Sequence, residues 1–442
     1  MLKAGFGKIS ITPSVGSPLA GFAAREGVCE GIHDELHSRA LVLENEAIAV
    51  IIISLDVLAV SEALVKRVRD RIQSRLGIDA GSILIASTHT HAGPVTIKTF
   101  FNPDGSLDGE YMDRLATAIE ESAIQAWESR FPARIGVGSG QASGIGVNRR
   151  TPDKKPIDEE IGIIKVEDMG GRVRGVLMNY SCHPTVLGSD NLLATGDFPY
   201  FAVDRVEKEI GSGCFAMFVN GTQGNISMGH SSELSAIGVI TPGRTFEHAE
   251  ELGSKLGQAT LDALANIETK DSPTIGVAVS QARFPLKDFP DIATAAQNLI
   301  AAEKDLDHIS GDGAPIESVM SAKSKRLYAS ITDFYARETS VFEDGHLPVE
   351  LQAVRIDDAV FLAVPAEVFV EIGLAIKQRA RHKVFIIGIA NGYIGYLPTE
   401  SAYAADGYEV VSSKVSPATE AVLYNEAKNL EGRLFAREVE QA

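Results

Sequence analysis

Cysteine is scarce in this chain: Cys29, Cys182 and Cys214 are the only three in 442 residues. Their number and scatter exclude a disulfide framework, and without a C-x-x-C pair they exclude a cysteine-built structural metal site as well. A reducing compartment fits this usage. Long apolar runs are also missing. No stretch reaches the roughly 18 apolar residues that cross a bilayer. The opening MLKAGFGKISITPSVG lacks the uninterrupted apolar core of a signal peptide, so the expectation is a cytoplasmic protein without stable membrane insertion. Positive charge is in deficit, with 41 Lys and Arg against 59 Asp and Glu and a net charge of −18. Such a chain repels a phosphate backbone, whose affinity for proteins rests on basic side chains displacing counterions, and nucleic acid is excluded as a partner. Internal repeats and low-complexity segments are absent too.

What is present is core-building material, at 45% hydrophobic and 23% charged residues, the composition of an ordinary globular protein. The runs AIAVIIISLDV and SILIAS read as buried strands on either side of a helix, SEALVKRVRDRIQSRLG. In that helix Leu64, Val65, Val68, Ile72 and Leu76 recur at helical spacing, with Ser61 as N-cap and Gly77 as the stop. A strand–helix–strand unit favours parallel pairing, and the alternation continues along the chain. The expected fold is α/β: a mixed, largely buried sheet flanked by helices, in one domain over residues 1–442. Residues 270–345 change character. A strand-like piece, TIGVAVSQARF, precedes two charged helices, and the stretch reads as a helical cap or insertion. VELQAVRI, AVFLAVP and VFIIGIA are expected to complete the first sheet.

Five stretches could carry chemistry. In STHTHAGP, His89 and His91 follow the strand ILIA, and side chains two apart on a strand share a face about 6–7 Å apart. The pair suits a metal, or a metal and a substrate, although two polar residues at a strand end also serve to bond backbone groups. His183 in NYSCHPT lies just past another strand, and ligand sites in α/β sheets collect at strand carboxyl ends. Three such histidines favour zinc, which takes imidazole nitrogen together with a carboxylate. FVNGTQGNIS, residues 218–227, is a glycine-rich turn whose N–H groups could form a nest for an oxyanion; it could as well be a turn chosen for glycine geometry. Late in the chain, Glu367 of LAVPAEVF sits between a strand and a helix, and NGYIGYLPTESAYAADGYE carries Tyr393, Tyr396, Tyr403 and Tyr408.

Together these stretches resemble the neutral/alkaline ceramidase family, zinc amidases that hydrolyse the N-acyl bond of ceramide. The matching motifs run in order from GFGKISITPSVGSPLAGFA through GIHDELHSRALVL, STHTHAGP, GVNRR, NYSCHPT, TGDFP and NGTQGNIS to GYLPTESAYAADGYE, over nearly the whole chain. The resemblance implies one zinc per chain, at strand carboxyl ends, held by His89, His183, Glu367 and Tyr396. It implies that His91 and Arg149 face the substrate, with Asn220 and Gly224 of the glycine-rich turn as further substrate contacts. Ser227 falls at the family's catalytic-motif serine and Tyr408 matches a tyrosine beside the scissile amide, so Ser227, Tyr408 and His91 are the candidate catalytic residues. The implied reaction is hydrolysis of a linear amide by a zinc-activated water, in lipid metabolism. The partner is a small-molecule N-acyl substrate with lipid character, and a homo-oligomer is compatible with the sequence.

Departures from the family qualify this. Larger ceramidases carry a signal sequence and a C-terminal β-sandwich domain, and neither is expected here, which points to a smaller, more soluble substrate. Asn225 stands where the family has an acidic residue, and SMG follows in place of a serine–proline step, which weakens a serine-centred mechanism more than the zinc. Three alternatives stand beside the amidase reading. One is a zinc esterase or lactonase on the same site, and one is a non-catalytic zinc-containing binding protein. The third, a (β/α)₈ amidohydrolase barrel, also has an H-x-H at a strand end but usually adds two further strand-end histidines and a late aspartate.

Overall fold

Four layers stack in the order helix, sheet, sheet, helix. The computed structural model describes residues 1–102, 107–151, 153–211, 213–310 and 314–439. The larger sheet consists of β1 (Lys3–Ser10), β2 (His37–Glu44), β3 (Ala49–Leu55), β4 (Ile83–Ser87), β5 (Phe131–Gln141), β6 (Glu160–Asp168), β7 (Val173–Tyr180) and β8 (Phe215–Asn220). Their spatial order is β8-β7-β6-β5-β1-β2-β3-β4. The smaller sheet takes β9 (Ile275–Pro285), β10 (His346–Ile356), β11 (Ala359–Val364) and β12 (Lys383–Gly388) in sequence order. Three neighbouring pairs are parallel, β3 with β4, β7 with β8, and β11 with β12; the other pairings within these two sheets are antiparallel. The long helices are α1 (Glu62–Leu76), α2 (Gly109–Glu128), α3 (Phe198–Ile210), α4 (Phe246–Leu264), α5 (Ile292–Ile309), α6 (Ile316–Thr339), α7 (Val370–Arg379) and α8 (Thr419–Val439).

The period of two in a strand explains the layering. Leu41 and Leu43 of β2 and Val50 and Ile52 of β3 point at the second sheet, where Phe361 and Ala363 of β11 and Phe385 of β12 meet them. Their alternates Ala40, Val42, Ile51 and Ile53 pack on α1 and α2. On the far side, Val360, Leu362 and Ile386 lie against α7 and α8. Strands covered on both faces read as unbroken apolar runs. The α1 unit forms as its sequence predicts: Ser61 Oγ accepts from the Leu64 N–H, and Gly77 ends the helix at φ 71°.

The late strands do not extend the first sheet, as the sequence leads one to expect, but build the second. An apolar run buried on both faces carries no record of its hydrogen-bond partner, so the two arrangements are indistinguishable by pattern. The strand of residues 270–345, β9, pairs with the β10 that follows them, from Ile275↔Ile356 to Pro285↔His346. Helices α5 and α6 pack on each other beside the sheets; Ala295 is the buried residue of α5, whereas α6 turns Leu327, Ile331 and Tyr335 inward. Among the described residues no helix is long and apolar enough to cross a membrane.

Candidate metal centre

Each parallel pair delivers side chains from its carboxyl end to one point between the sheets, as open α/β sheets do at their ligand sites. His89 follows β4, His183 follows β7, Glu367 follows β11, and Tyr393 and Tyr396 follow β12. His89 has φ 72°, a left-handed conformation that costs an L-residue about 1–2 kcal/mol. The surroundings hold it there. Its N–H donates to the Val57 carbonyl, the Thr90 hydroxyl donates to the Thr195 carbonyl, and Asp34 in turn binds Thr195 and Gly196. Asn220 ties both histidine loops to the end of β8: its amide donates to the Thr88 and Cys182 carbonyls and accepts from the N–H groups of Cys182 and Gly221.

The ring nitrogens define what the site lacks. His89 Nδ1 donates to the Leu58 carbonyl at 2.7 Å, and His183 Nδ1 to the Gln223 carbonyl at 2.7 Å. A carbonyl only accepts, so Nδ1 carries a proton in both rings, and in a neutral ring Nε2 then presents a lone pair. Burial, reinforced by Arg149, lowers the His183 pKa to about 4, so that ring is neutral near pH 7. Yet Glu367 Oε2 lies 2.8 Å from His183 Nε2 and 3.4 Å from His89 Nε2. Lone pairs facing a buried carboxylate repel it unless a positive charge, a metal ion or a proton, lies between them. Two ligands at about 2.0–2.1 Å from a tetrahedral ion stand roughly 3.3 Å apart, close to the His89–Glu367 separation. The donor set fits a metal.

His91 belongs to the same group: nitrogens of His89, His91 and His183 all lie within 4.8 Å of one another. Among the described residues neither ring nitrogen of His91 has a hydrogen-bond partner, and burial, with His89 and His183 beside it, holds its pKa well below the ordinary value. Gly21 makes room for this ring. At φ 103°, a Cβ there would stand 2.5 Å from the His91 side chain.

Tyr396 is paired in register with Glu367, and its hydroxyl accepts from Arg149 Nη2 at 3.0 Å. Burial and the Glu367 carboxylate hold its phenol well above the usual pKa. Arg149 also binds Glu409 through Nε at 2.8 Å and the Gly224 carbonyl through Nη2. Two of these groups escape sequence reasoning. Tyr393 donates to Glu367 Oε1 at 2.6 Å, fixing the carboxylate. Glu409 binds Arg149, Arg150 and Ser232 together. Both lie in the tyrosine-rich stretch, where their neighbours carried the motif.

The glycine-rich turn is not a nest. The N–H groups of Gly221, Thr222, Gly224 and Ile226 donate to Tyr180 O, Ser181 Oγ, Val368 O and Gln223 O, so four of its donors are already committed to the protein and do not converge on an oxyanion. Asn220 and Gly224 line neither cavity beside the histidines, in place of the substrate contact predicted for them; Gly224 lets the Glu367 carbonyl approach, since a Cβ would stand 2.5 Å from it. Ser227 Oγ accepts from the Gly229 N–H, and no hydrogen bond joins it to a histidine among the described residues. The structure does bring His89, His91, His183, Glu367, Tyr396, Arg149, Ser227 and Tyr408 around the two cavities.

The larger cavity, about 310 Å³, opens over His89, His91, Glu367, Tyr393 and Tyr396 and is walled by Leu58, Ile97, Phe100, Phe101, Phe334 and Tyr335. The last two come from α6. The smaller, about 50 Å³, lies beyond His91 and His183 and is bordered by Arg149, Ser227, His230, Ser232 and Arg244. Tyr408 borders both.

Residues 2–232 match the N-terminal domain of neutral/alkaline non-lysosomal ceramidase. Neutral ceramidase of Pseudomonas aeruginosa is 24% identical over 485 residues, covering 94% of this chain and 70% of that protein. Neutral ceramidase 1 of Arabidopsis thaliana is 29% identical over 213 residues, covering 44% and 27%. The crystal structure of the Pseudomonas aeruginosa neutral ceramidase superposes with a TM-score of 0.77 at 20% sequence identity, covering 99% of this chain and 74% of that one, which establishes a shared fold. With more than half its length matched, and a buried histidine group at the carboxyl ends of its parallel strands, the chain belongs to the neutral/alkaline non-lysosomal ceramidase family.

Proposed function

We propose that this chain is a zinc-dependent hydrolase of an N-acyl amide. The observation that carries the reading is the convergence of two imidazole nitrogens and the Glu367 carboxylate beside a cavity with an apolar wall. His89, His183 and Glu367 would hold the zinc, with Tyr396 completing the set. Zinc bound there would act as a Lewis acid and lower the pKa of a coordinated water.

The remaining steps belong to the chain. The apolar wall binds the acyl chain and excludes water from the reacting carbonyl. Tyr408, whose phenol burial keeps protonated, donates a hydrogen bond to the developing oxyanion, a contribution of about 3–4 kcal/mol where one such donor has been removed. His91, with both ring nitrogens free, accepts the proton released as water attacks and returns it to the leaving amine. Arg149 stabilises the Tyr396 oxygen, and Glu409 keeps Arg149 in place. Zinc analysis of the purified protein followed by hydrolysis of a panel of N-acyl amides tests the reading. Stoichiometric zinc with turnover that disappears in His89→Ala is expected; stoichiometric zinc with no hydrolysis of any amide would refute it.

A further inference from the structure

The two cavities meet at His91, Tyr396 and Tyr408 but differ in chemistry. Beside the smaller one, the Phe22 ring lies edge-on to His91 with the ring centroids 5.0 Å apart and has the guanidinium carbons of both Arg25 and Arg244 5.1 Å from its centroid. Arg244 donates to the carbonyls of Thr185, Val186 and Leu187 and to the Ser235 hydroxyl. Arg25 donates to the carbonyls of Ala20, His91 and Asn191. Carbonyls satisfy hydrogen bonds without cancelling charge. Among the described residues neither guanidinium has a carboxylate within 4.0 Å. Asp190 and Asp197 act on Arg244, and Asp190 on Arg25, from further away, Asp197 also accepting from the N–H groups of Val186, Leu187 and Phe198. Across the cavity, Arg149 and Arg150 share the single charge of Glu409. Arg149 and Arg244 line the cavity, with Arg25 behind Phe22 and Arg150 behind Glu409, so these guanidinium groups outnumber the carboxylates in direct contact with them.

The inner part of this cavity is narrow. About 50 Å³ is enough for a carboxylate and the carbon bearing it. A neutral polar group would gain ordinary hydrogen bonds here, whereas a carboxylate gains charge-assisted ones. We infer that the smaller cavity is a carboxylate subsite and that the substrate is an N-acyl amino acid, its acyl chain in the larger cavity. This rests on the hydrolase reading for the reaction, though not for the binding. Water oxygen joins the acyl carbon, the C–N bond breaks, and the nitrogen takes a proton, giving a fatty acid and a free amino acid.

Two dodecylsulfonamides that cannot be hydrolysed, one of glycine and one of ethanolamine, differ only in carboxylate against alcohol. Titrated calorimetrically into the zinc-loaded full chain, the glycine compound should bind about tenfold or more tightly. That ratio should fall towards one in Arg244→Gln, and also in His230→Asp, which adds a negative charge to the same wall without removing the loop contacts of Arg244. Turnover of N-lauroylglycine should exceed that of N-lauroylethanolamine by a similar factor in kcat/KM. Equal affinities in the wild-type protein, or a ratio unmoved in both folded variants, would overturn the subsite. A retained binding preference with hydrolysis of neither amide would support the subsite and remove the hydrolase reading alone.

Discussion

Glu367 and Tyr396 are register partners in a two-residue parallel ladder, brought together although all of α7 and β12 lie between them in sequence. The pairing sets a carboxylate and a phenol side by side, while Tyr393 holds the other carboxylate oxygen. Tyr393→Phe removes only that orienting bond and should weaken zinc binding by about 10–100-fold, as loss of an outer hydrogen bond to a metal ligand does. Glu367→Gln should weaken it further. Competition with a chromophoric chelator measures both, and equal losses would contradict the distinction.

His89 and His91 should separate in the same assay. His89→Ala is expected to lose zinc, whereas His91→Ala should keep it and lose turnover, because the free nitrogens of His91 are assigned to proton transfer. Equal zinc loss in the two variants would make His91 a ligand.

Glu409 is 3% exposed and pairs with Arg149 and Arg150. Removing one partner of a buried ion pair leaves the other charge uncompensated, at a cost of about 3–5 kcal/mol. Glu409→Ala should lower the urea midpoint accordingly and reduce turnover through Arg149; an unchanged midpoint would contradict this.

Much of this arrangement is legible in the chain. The α1 unit with its caps, the strand-end histidines and the position of Glu367 follow from period and punctuation, because those signals are local. The division into two sheets is not legible, since Phe361 and Val360 face different layers but are equally apolar. Nor is the fate of the Gly221, Thr222 and Gly224 N–H groups, whose acceptors lie on β7, in the loop after it and beyond β11. Tyr393 and Glu409 acquire meaning only when β12 and the following turn close onto Glu367 and Arg149.

Acid should destabilise the fold through His37, whose pKa burial, with Arg39 and Lys8, lowers to about 3. Between that value and the unfolded value near 6.5 the unfolded chain binds the additional proton, so stability is full above about pH 6.5 and falls as pH drops, by at most about 1.4 kcal/mol per pH unit from this residue. His37→Gln should flatten the dependence of urea-derived stability on pH across that window; an unchanged slope would assign the loss to other groups.

Gly21→Ala places a methyl against the His91 ring at a φ of 103°. Turnover should fall while zinc content is kept, since the displaced ring is not an assigned ligand. Wild-type turnover in this variant would show that the position of His91 does not matter.

The most direct test of the account is stepwise zinc reconstitution of the metal-free protein, with bound zinc and amide hydrolysis measured at each step. Activity should rise in proportion to bound zinc and saturate at one per chain, whereas full activity in protein that binds no zinc would contradict the account.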